Sequence, residues 1–392
     1  MKKVLWIGGR LPSPLFSGDA LYSAGILTAL ATTQEVVLSV VGVRRDDRPI
    51  DRRLLGLPQI TFVEVAPSRR WGILSLLSSQ PRDAYSLATG SRRRVLVELL
   101  SHDWDWIVFD HANSAGFLPL VLKLRKKASI CYVAHNAEGK IRPEIAGTFS
   151  NPIRRAILRW DAEKYRRLER NIVKVADAIV CITDADATYF AQCSGIVSVM
   201  PPIYLGAIAP AQTMDSTRPR SILLLGSFEW IAKQRNLEHI INVLLPSLKR
   251  KGIVLNVVGT VPENIKNRYA DEGKNLIFHG SVPDLSEIVA RSRGGLVAEV
   301  LGGGFKLKLL DYAFAKLPIF GLRMAVEGTT ADEQSAMFIS ENMDGLADTI
   351  VENIDDLARL NRNQARLFEL ISGRFGLQAG IERVRGIFLR GD

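Results

Sequence analysis

A chain of 392 residues is too long for one ordinary hydrophobic core, and at about 150 residues per domain it suggests two or three domains, of which two is the simplest division. Its composition, 47% hydrophobic and 23% charged, is that of a globular protein, and it has no apolar run of the ~20 residues that a membrane-spanning helix requires. The formal net charge of +10 suits anionic small ligands or an anionic membrane surface, but no nucleic-acid-binding module accompanies it, so nucleic acid is not an expected partner.

Short apolar runs alternate with helical patterns along the first half of the chain, which is typical of parallel sheets covered by helices. The first run follows Met1-Lys2-Lys3 and is shorter than the ~7–15 apolar residues of a secretory signal, so we expect a first strand in a cytoplasmic protein. The longest helix is predicted at 152–175, where a broken apolar stripe opposes a strongly basic face. Strands are predicted at Val4–Ile7, Glu35–Val43, Ile60–Val65, Trp106–Asp110, Ser129–Ala134 and Ala178–Ile182.

A proline-rich stretch separates this pattern from a second one. Four prolines between Met200 and Arg220 interrupt helix and strand patterns alike, so 204–220 is predicted to link a domain of residues 1–203 to a domain of residues 221–374. Further strands are predicted at Ser221–Leu225, Ile253–Val258, Leu276–His279, Gly295–Ala298 and Pro318–Phe320. Helices are predicted at Leu237–Lys249, Leu285–Arg291, Phe305–Ala315, Leu346–Ile354 and Ala365–Arg390.

This order predicts an α/β protein with two Rossmann-like parallel-sheet domains that face a central cleft. Ligands of such folds bind outside the carboxyl ends of the strands, so function is expected in the strand-to-helix loops.

Three such loops of the first half carry candidate cleft residues. Gly18 begins a helix, where a glycine allows a phosphate or an oxyanion to approach free amide groups, and Asp19 follows it. The alternative is a simple turn capped by Ser17 or Asp19. His111 ends one predicted strand, and His135 with Asn136 ends another, so their side chains are expected at the cleft, although a lone histidine is more often a structural residue.

Two loops of the second half predict a diphosphate site. One is the glycine turn Gly226-Ser227, followed by Lys233 and Arg235 just before a predicted helix; both cations can reach a phosphate. In the other, a strand is followed by three glycines whose amides can surround an anion, and then by a helix that opens with two lysines and carries a carboxylate able to bind ribose hydroxyls. The alternative is a flexible turn with a surface ion pair. This loop comprises Gly302, Gly303, Gly304, Phe305, Lys306, Lys308 and Asp311.

No metal site is expected. Asp103-Trp104-Asp105 has the DxD spacing that can hold a divalent cation under a nucleotide diphosphate, but it precedes its strand and so lies at the wrong end of the sheet. The three cysteines are widely spaced, and none of the five histidines falls in an HExxH pattern.

Taken in order, these segments resemble the retaining GT-B glycosyltransferases of family 4, the glycosyl transferases group 1. The first half has a similar proline-containing loop from Pro14 to Gly18, and its histidine-tipped strands resemble those of the family. In the second half Gly226–Asn236 resembles the family's glycine loop with its basic pair, and Gly302–Asp311 followed by Pro318 resembles the pattern GGGxxLKxLEAxAxGxP. The likeness covers nearly the whole chain and is most specific in this last segment.

The resemblance implies a nucleotide diphosphate bound by the second half and a final helix, residues 375–392, that crosses back to the first. It implies that His111 contacts the donor sugar, that Lys233 or Arg235 neutralises the diphosphate and that Asp311 holds the ribose. The family's two glutamates, separated by seven residues, correspond here to Gly303 and Asp311. The first acid is therefore absent, which weakens any inference about the sugar.

The expected function is transfer of a sugar, by family frequency from a UDP-sugar, to a glycan, lipid-linked or small-molecule acceptor, without a cofactor or a metal ion. Breaking the glycosyl phosphate bond leaves negative charge that Lys233, Arg235, Lys306 or Lys308 can stabilise. A nucleotide-sugar epimerase and a degenerate GT-B domain that binds a glycan or a partner are the alternatives. The basic helix 152–175 and the arginines at 52 and 92 can hold the first domain on the inner leaflet, as in lipid-linked polysaccharide synthesis.

Overall fold

The chain divides into two units, each built on one parallel sheet. The computed structural model describes residues 1–12, 18–44, 50, 52–66, 71–210, 213–302 and 305–390, without the side chains of Arg52 and Arg53. The first unit contains Met1–Leu205 and the residues from Leu377 onward, and the second contains Gly206–Gly376. Most of the predicted linker 204–220 is therefore part of the second unit.

A seven-stranded sheet forms the centre of the first unit, in the order β3-β2-β1-β4-β5-β6-β7 with all strands parallel. The central strands are almost continuously apolar because helices cover both faces of the sheet. The strands are β1 (Lys2–Arg10), β2 (Val36–Val43), β3 (Ile60–Glu64), β4 (Trp106–Asp110), β5 (Ser129–Ala134), β6 (Ala178–Cys181) and β7 (Ile196–Val199).

Helices fill the connections of this sheet, with two short 3₁₀ helices at Gly72–Leu77 and Ser114–Phe117. The α-helices are α1 (Gly18–Thr32), α2 (Arg52–Leu55), α3 (Arg82–Leu87), α4 (Gly90–Leu99), α5 (Leu118–Leu124), α6 (Glu138–Gly147), α7 (Pro152–Val173) and α8 (Asp184–Tyr189).

The second unit repeats the arrangement with six parallel strands in the order β10-β9-β8-β11-β12-β13. Its strands are β8 (Ser221–Leu225), β9 (Val254–Val258), β10 (Leu276–Gly280), β11 (Gly294–Val297), β12 (Ile319–Leu322) and β13 (Phe338–Ser340). Its helices are α9 (Ile231–Arg250), α10 (Glu263–Arg268), α11 (Ser286–Ala290), α12 (Lys308–Phe314), α13 (Ala331–Ser335), α14 (Met343–Asn353) and α15 (Leu357–Phe375), with 3₁₀ helices at Ala270–Asn275 and Arg323–Val326.

The last helix, α16 (Leu377–Phe388), returns to the first unit and completes its core. The Trp106 indole donates a hydrogen bond to the Phe388 carbonyl at 3.2 Å, and the two rings pack edge to face. A β-carbon on Gly380 would lie 2.3 Å from the Ile203 side chain, so a larger residue here would force that side chain to move. Four buried side chains of α16 join the apolar cluster between α1 and the sheet: Ile381, Val384, Ile387 and Phe388.

Element boundaries differ from the sequence predictions in a few informative places. Helix α9 begins at Ile231, six residues before the predicted start, because residues 231–236 contain no helix breaker. Helix α12 begins at Lys308 and not at 305, and the predicted helix 365–390 breaks at Gly376 into α15 and α16. The short strands β7 and β13 were not predicted. Within the described residues, no helix is both long and apolar enough to cross a membrane.

Candidate functional site

Each sheet reverses its strand order once, between β1 and β4 in the first unit and between β8 and β11 in the second. Ligands of doubly wound sheets bind beside such a reversal, outside the carboxyl ends of the strands. The loops at these two points are therefore the places to look for a site, and most of the predicted residues lie on them.

A buried carboxylate, Asp110 at the end of β4, organises the reversal point of the first unit. Its Oδ2 accepts hydrogen bonds from the Trp6 indole at 3.0 Å and from the Ser23 hydroxyl at 2.8 Å, while its Oδ1 lies 2.7 Å from His135 Nε2. Both Asp110 and His135 are less than 10% exposed, and the Tyr22 ring packs edge to face on His135. The His135 ring is thus held by Asp110 and Tyr22, both buried in the core.

His111 lies directly beside this network, with its ring centre 5.0 Å from that of His135. Its backbone has φ +68°, a left-handed conformation that is uncommon for a residue with a side chain and that marks a strained strand end. Its Nε2 lies 3.6 Å from Glu138 Oε1, and its Nδ1 faces the Asn113 amide at 3.5 Å. Burial lowers the pKa of His111, with a further contribution from His135, so the neutral imidazole is favoured at neutral pH.

A second buried carboxylate fixes the loop that carries His135. Glu169 of α7 accepts the backbone amides of Glu138 and Gly139 at 2.9 and 2.8 Å, at the start of α6. A β-carbon on Gly139 would lie 2.4 Å from the Tyr189 hydroxyl, which explains the glycine. Burial raises the pKa of Glu169 to about 7, against the lowering effect of the two amides. Asn136, partly buried, lies in the bend that these contacts stabilise.

The predicted residues of the first helix lie at its exposed start. Gly18 and Asp19 are exposed at the start of α1, and the Asp19 charge acts on His111 by raising its pKa against the larger effect of burial. His111 and His135 therefore lie side by side, with the Asp19 charge near enough to act on His111.

In the second unit two strand ends approach each other so closely that the residue at 259 must be glycine. Gly259, after β9, has φ +124°, and a β-carbon on it would lie 1.6 Å from the Gly226 carbonyl oxygen after β8. The Phe228 amide donates to the Thr260 carbonyl at 2.8 Å. These contacts set the course of the loop that leads from β8 into α9.

Three charged side chains meet at the reversal point of this unit. Lys308, the first residue of α12, forms an ion pair with Glu299, which follows β11. Lys233 in the first turn of α9 borders the same small cavity of about 40 Å³. The two paired side chains are only 12% and 15% exposed, and Glu299 Oε2 has no hydrogen-bond partner among the described residues. A buried carboxylate oxygen therefore remains free to accept a hydrogen bond at this cavity.

Electrostatic effects favour the charged form of Glu299 and disfavour the charged forms of two neighbouring lysines. Burial alone would raise the pKa of Glu299, but the charge and hydrogen bond of Lys308 lower it below its ordinary value. Desolvation, and next the positive charge of Lys308, lower the pKa of Lys233. Desolvation also lowers the pKa of Lys306, which donates to the Gly302 carbonyl at 2.8 Å.

Asn236, which the sequence analysis did not select, clamps the loop between Glu299 and the glycines. Its Oδ1 accepts the amides of Val300 and Leu301 at 3.1 and 2.9 Å, and its Nδ2 donates to the Leu301 carbonyl at 2.8 Å. The side chain is buried one turn after Lys233 on α9. The helix that carries Lys233 thus also positions the glycine loop.

The early start of α9 corrects the expected position of the basic pair. Lys233 and Arg235 belong to the beginning of the helix and do not precede it, so their side chains point in different directions. Lys233 lines the cavity, whereas Arg235 is exposed and is not among the described residues that line it. The Ser227 hydroxyl donates to Glu229 at 3.0 Å.

The glycine loop itself is only partly described. Gly302 is exposed with φ +94°, and the predicted Gly303 and Gly304 lie outside the described residues. The Phe305 ring stacks on Phe375 at 5.2 Å, which gives this predicted donor-binding residue a packing role. Because α12 begins at Lys308 and not at the predicted Phe305, Asp311 lies in its first turn. Burial raises the pKa of Asp311 to about 6 against the opposing charge of Lys308.

Two acids of the DxD sequence precede β4, as expected. The Lys3 amide donates to Asp105 at 2.7 Å, and Lys126 pairs with Asp103 at 2.9 Å. Within the described parts of the chain, no group of three or more histidine, cysteine or acidic side chains is placed to hold a metal ion.

The second unit matches a known protein family, and the whole chain resembles solved structures. The family model of the glycosyl transferases group 1 matches residues 219–356, which include β8, the start of α9, Glu299 and α12. A search of curated protein sequences gave no significant match.

Solved structures resemble the chain over nearly its whole length. HepE of Anabaena in complex with UDP-glucose is 12% identical, with 98% of this chain and 99% of that chain covered and a TM-score of 0.64. OtsA in its apo form is 16% identical over 100% of both chains, with a TM-score of 0.66. The lipopolysaccharide outer core galactosyltransferase WaaB is 14% identical over 99% of both, with a TM-score of 0.58.

At these identities the likeness shows the fold: the chain is a GT-B protein with two Rossmann-like units. Within the second unit, residues 219–356 match the model of the glycosyl transferases group 1, in agreement with the resemblance seen in the sequence.

Three residues of these sites were missed by the sequence analysis: Asp110, Asn236 and Glu299. Asp110 is the last residue of the buried strand β4, and Glu299 lies two residues after the buried strand β11. Both acids lie at the carboxyl ends where function was expected, so their positions could have revealed them. Asn236 offered a weaker signal, since asparagine is only mildly unfavourable in a helix.

Proposed function

We propose that this protein transfers a hexosyl group from a nucleotide-diphosphate sugar, with UDP as the favoured nucleotide, to a glycan, a lipid-linked or a small-molecule acceptor. Transfer proceeds with retention and without a metal ion or another cofactor. The observation that carries the proposal is the lysine cluster at the reversal point of the group 1 unit, where Lys233 and Lys308 border one cavity. The complexes of HepE with UDP-glucose, UDP and glucose support a UDP-sugar donor.

The leaving diphosphate gains negative charge as the glycosyl bond breaks, and preorganised cations stabilise that charge. Lys233 and Arg235 from α9, Lys306 and the amides of the glycine loop are assigned to this task. Lys308 shares its charge with Glu299, so it positions the cluster as much as it binds the anion. In retention by front-face attack, the acceptor oxygen bonds to the anomeric carbon, and the departing phosphate takes the acceptor proton.

The remaining assignments concern the sugar and the acceptor. Asp311 accepts hydrogen bonds from the ribose, and it does so best above a pH of about 6, where its buried carboxyl is ionised. The neutral His111 donates a hydrogen bond to the donor sugar. Asp19, His135 and Asn136 form the acceptor side, with Asp110 holding the His135 ring.

Replacing Lys233 and Arg235 by methionine tests this function without disturbing the buried pair. Both side chains are exposed, so the melting temperature should remain unchanged, whereas transfer from UDP-glucose should fall by about 100-fold or more. Arg250→Met with Lys251→Met, at the other end of α9, is the matched control. Full activity of the K233M/R235M variant would refute the assignment.

A thermal-shift series with UDP-, GDP- and ADP-glucose identifies the donor, since a ligand that binds the folded state raises the melting temperature. A shift with UDP-glucose, followed by sugar transfer, supports the proposal. An isomerised sugar formed without an acceptor would indicate an epimerase, and neither donor binding nor hydrolysis would indicate a degenerate binding domain; either result would overturn the proposal.

A further inference from the structure

A group of large apolar side chains on the first unit faces solvent. Single exposed apolar residues are ordinary, but this group has five within one seven-residue segment that carries no charge. Leu77 is 92% exposed, Trp71 79% and Ile153 73%. The group, called here the Trp71 face, consists of Trp71, Ile73, Leu74, Leu76 and Leu77 around the first 3₁₀ helix and of Ile153, Ile157 and Trp160 on α7.

The two parts of the Trp71 face are joined by direct contact. Ile153, Ile157, Trp160 and Lys164 follow one another at helical spacing along a single stripe of α7. Lys164 Nζ donates to the Ser75 carbonyl at 2.5 Å and lies 5.5 Å from the Trp160 ring centre. The apolar stripe of the helix therefore runs into the apolar 3₁₀ segment.

The surroundings of this face are cationic. Helix α7 carries seven basic and three acidic side chains, and its Arg154 and Arg159 are exposed beside the apolar stripe. The arginine at 92, one of the cations expected to face a membrane, is instead 2% exposed and donates to the Gly9 carbonyl at 2.8 Å. The positive charge next to the face is therefore supplied by exposed arginines of α7 and not by Arg92.

A cavity of about 340 Å³ begins where the 3₁₀ segment ends. Ser78 and Gln80 line it from the residues that follow Leu77, and Thr89 and the exposed Arg93 line it from the start of α4. Hydroxyl groups and a cation thus lie next to the apolar segment, in reach of the polar headgroups of a bilayer on which that segment rests.

We propose that the Trp71 face docks on the surface of an anionic phospholipid bilayer, with its tryptophans and leucines at the acyl boundary and the arginines of α7 at the headgroups. Tryptophan is favoured at the interface because its ring is apolar and its N–H group polar, and apolar insertion adds to the attraction of basic residues for anionic lipid. This inference concerns attachment alone and does not depend on the transfer activity.

Sedimentation of the full chain with lipid vesicles tests the proposal. The wild type should pellet with vesicles that contain phosphatidylglycerol, less so at high salt, and weakly with phosphatidylcholine alone. The Trp71→Ser/Leu77→Ser variant should bind at least about tenfold more weakly. I153S/W160S should weaken binding similarly, since it alters the same face from another element. I208S/M324S, two exposed apolar residues of the second unit, is the matched control.

Variants of the α7 arginines distinguish insertion of apolar side chains into the bilayer from purely electrostatic adsorption to its surface. R154Q/R159Q should reduce the preference for phosphatidylglycerol while leaving part of the binding. Unchanged binding of W71S/L77S, or a wild type that binds no anionic vesicle, would overturn the proposal. So would a wild-type dimer that W71S/L77S converts to a monomer without any vesicle binding, because the face would then join two copies of the chain.

Discussion

Removing the ammonium group of Lys308 should destabilise the second unit, although the residue lies at a ligand site. Oε2 of Glu299 has no hydrogen-bond partner among the described residues, and Oε1 is paired with Lys308. In the Lys308→Met variant both carboxylate oxygens would therefore be without a partner. The carboxylate is only 15% exposed, so water cannot replace the missing ammonium group fully. Breaking one side of a buried ion pair costs about 3–5 kcal/mol.

Both side chains keep some exposure to water, so the expected loss in the free energy of unfolding lies near the lower end of this range, about 3 kcal/mol. For a unit of this size 1 kcal/mol corresponds to about 2–4 °C, so the melting temperature should fall by about 6–12 °C. Adding Glu299→Gln removes the orphaned charge, and the double variant should regain most of this loss. Transfer activity should remain low in both variants, because neither restores the cation.

Scanning calorimetry of the wild type, both single variants and the double variant measures these differences. Arg323→Met is the matched control: Arg323 pairs with Glu341 on the surface of the same unit, and such an exposed pair contributes about 1 kcal/mol or less. If K308M melts within about 2 °C of the wild type, or if the double variant melts no higher than K308M, the buried-pair argument is wrong.

Two further changes test single residues of the second unit. The carboxyl of Asp311 has an ordinary pKa of 3.8 and a pKa of about 6 in the folded protein, so the folded state favours its protonated form. The protein is therefore most stable with respect to this group below pH 3.8, and that stability is lost as the pH rises through 6. Asp311→Asn should therefore melt higher than the wild type at pH 8 and equally at pH 4, while binding UDP more weakly at pH 8; equal melting at pH 8 would contradict the raised pKa. Asn236→Ala should cost about 1–3 kcal/mol by leaving the loop amides unpaired and should weaken UDP binding; calorimetric titration with unchanged affinity would exclude a role in shaping the site.

The sheets were the most predictable part of the fold. Strands such as β4, β5 and β8 are apolar runs with polar ends, and the predicted boundaries match the observed ones. β13 is only three residues long, and β7 lies at a sheet edge with a half-exposed pattern, so neither has a strong apolar signal. Their pairing depends on neighbouring strands that the local sequence does not reveal.

The sequence predicted where candidate site residues lie, but not which side chains they contact. Strand ends drew attention to His111, His135 and the lysines, all of which lie at the two reversal points of the sheets. Lys308 pairs with Glu299, which lies nine residues earlier in the chain. A glycine loop joins the two residues, and no local sequence pattern predicts that they approach each other. The same holds for Asp110, whose three partners come from three separate elements.

The return of α16 has a consequence for the order in which the protein can be assembled on the ribosome. The second unit is one continuous segment, whereas the first needs α16, which is synthesised only after the whole second unit has been made. Until then the surface that receives Ile381, Val384 and Phe388 is exposed to water. The half of the chain that is translated first is thus completed last, and a nascent chain halted at Gly376 would present an uncovered apolar surface to chaperones.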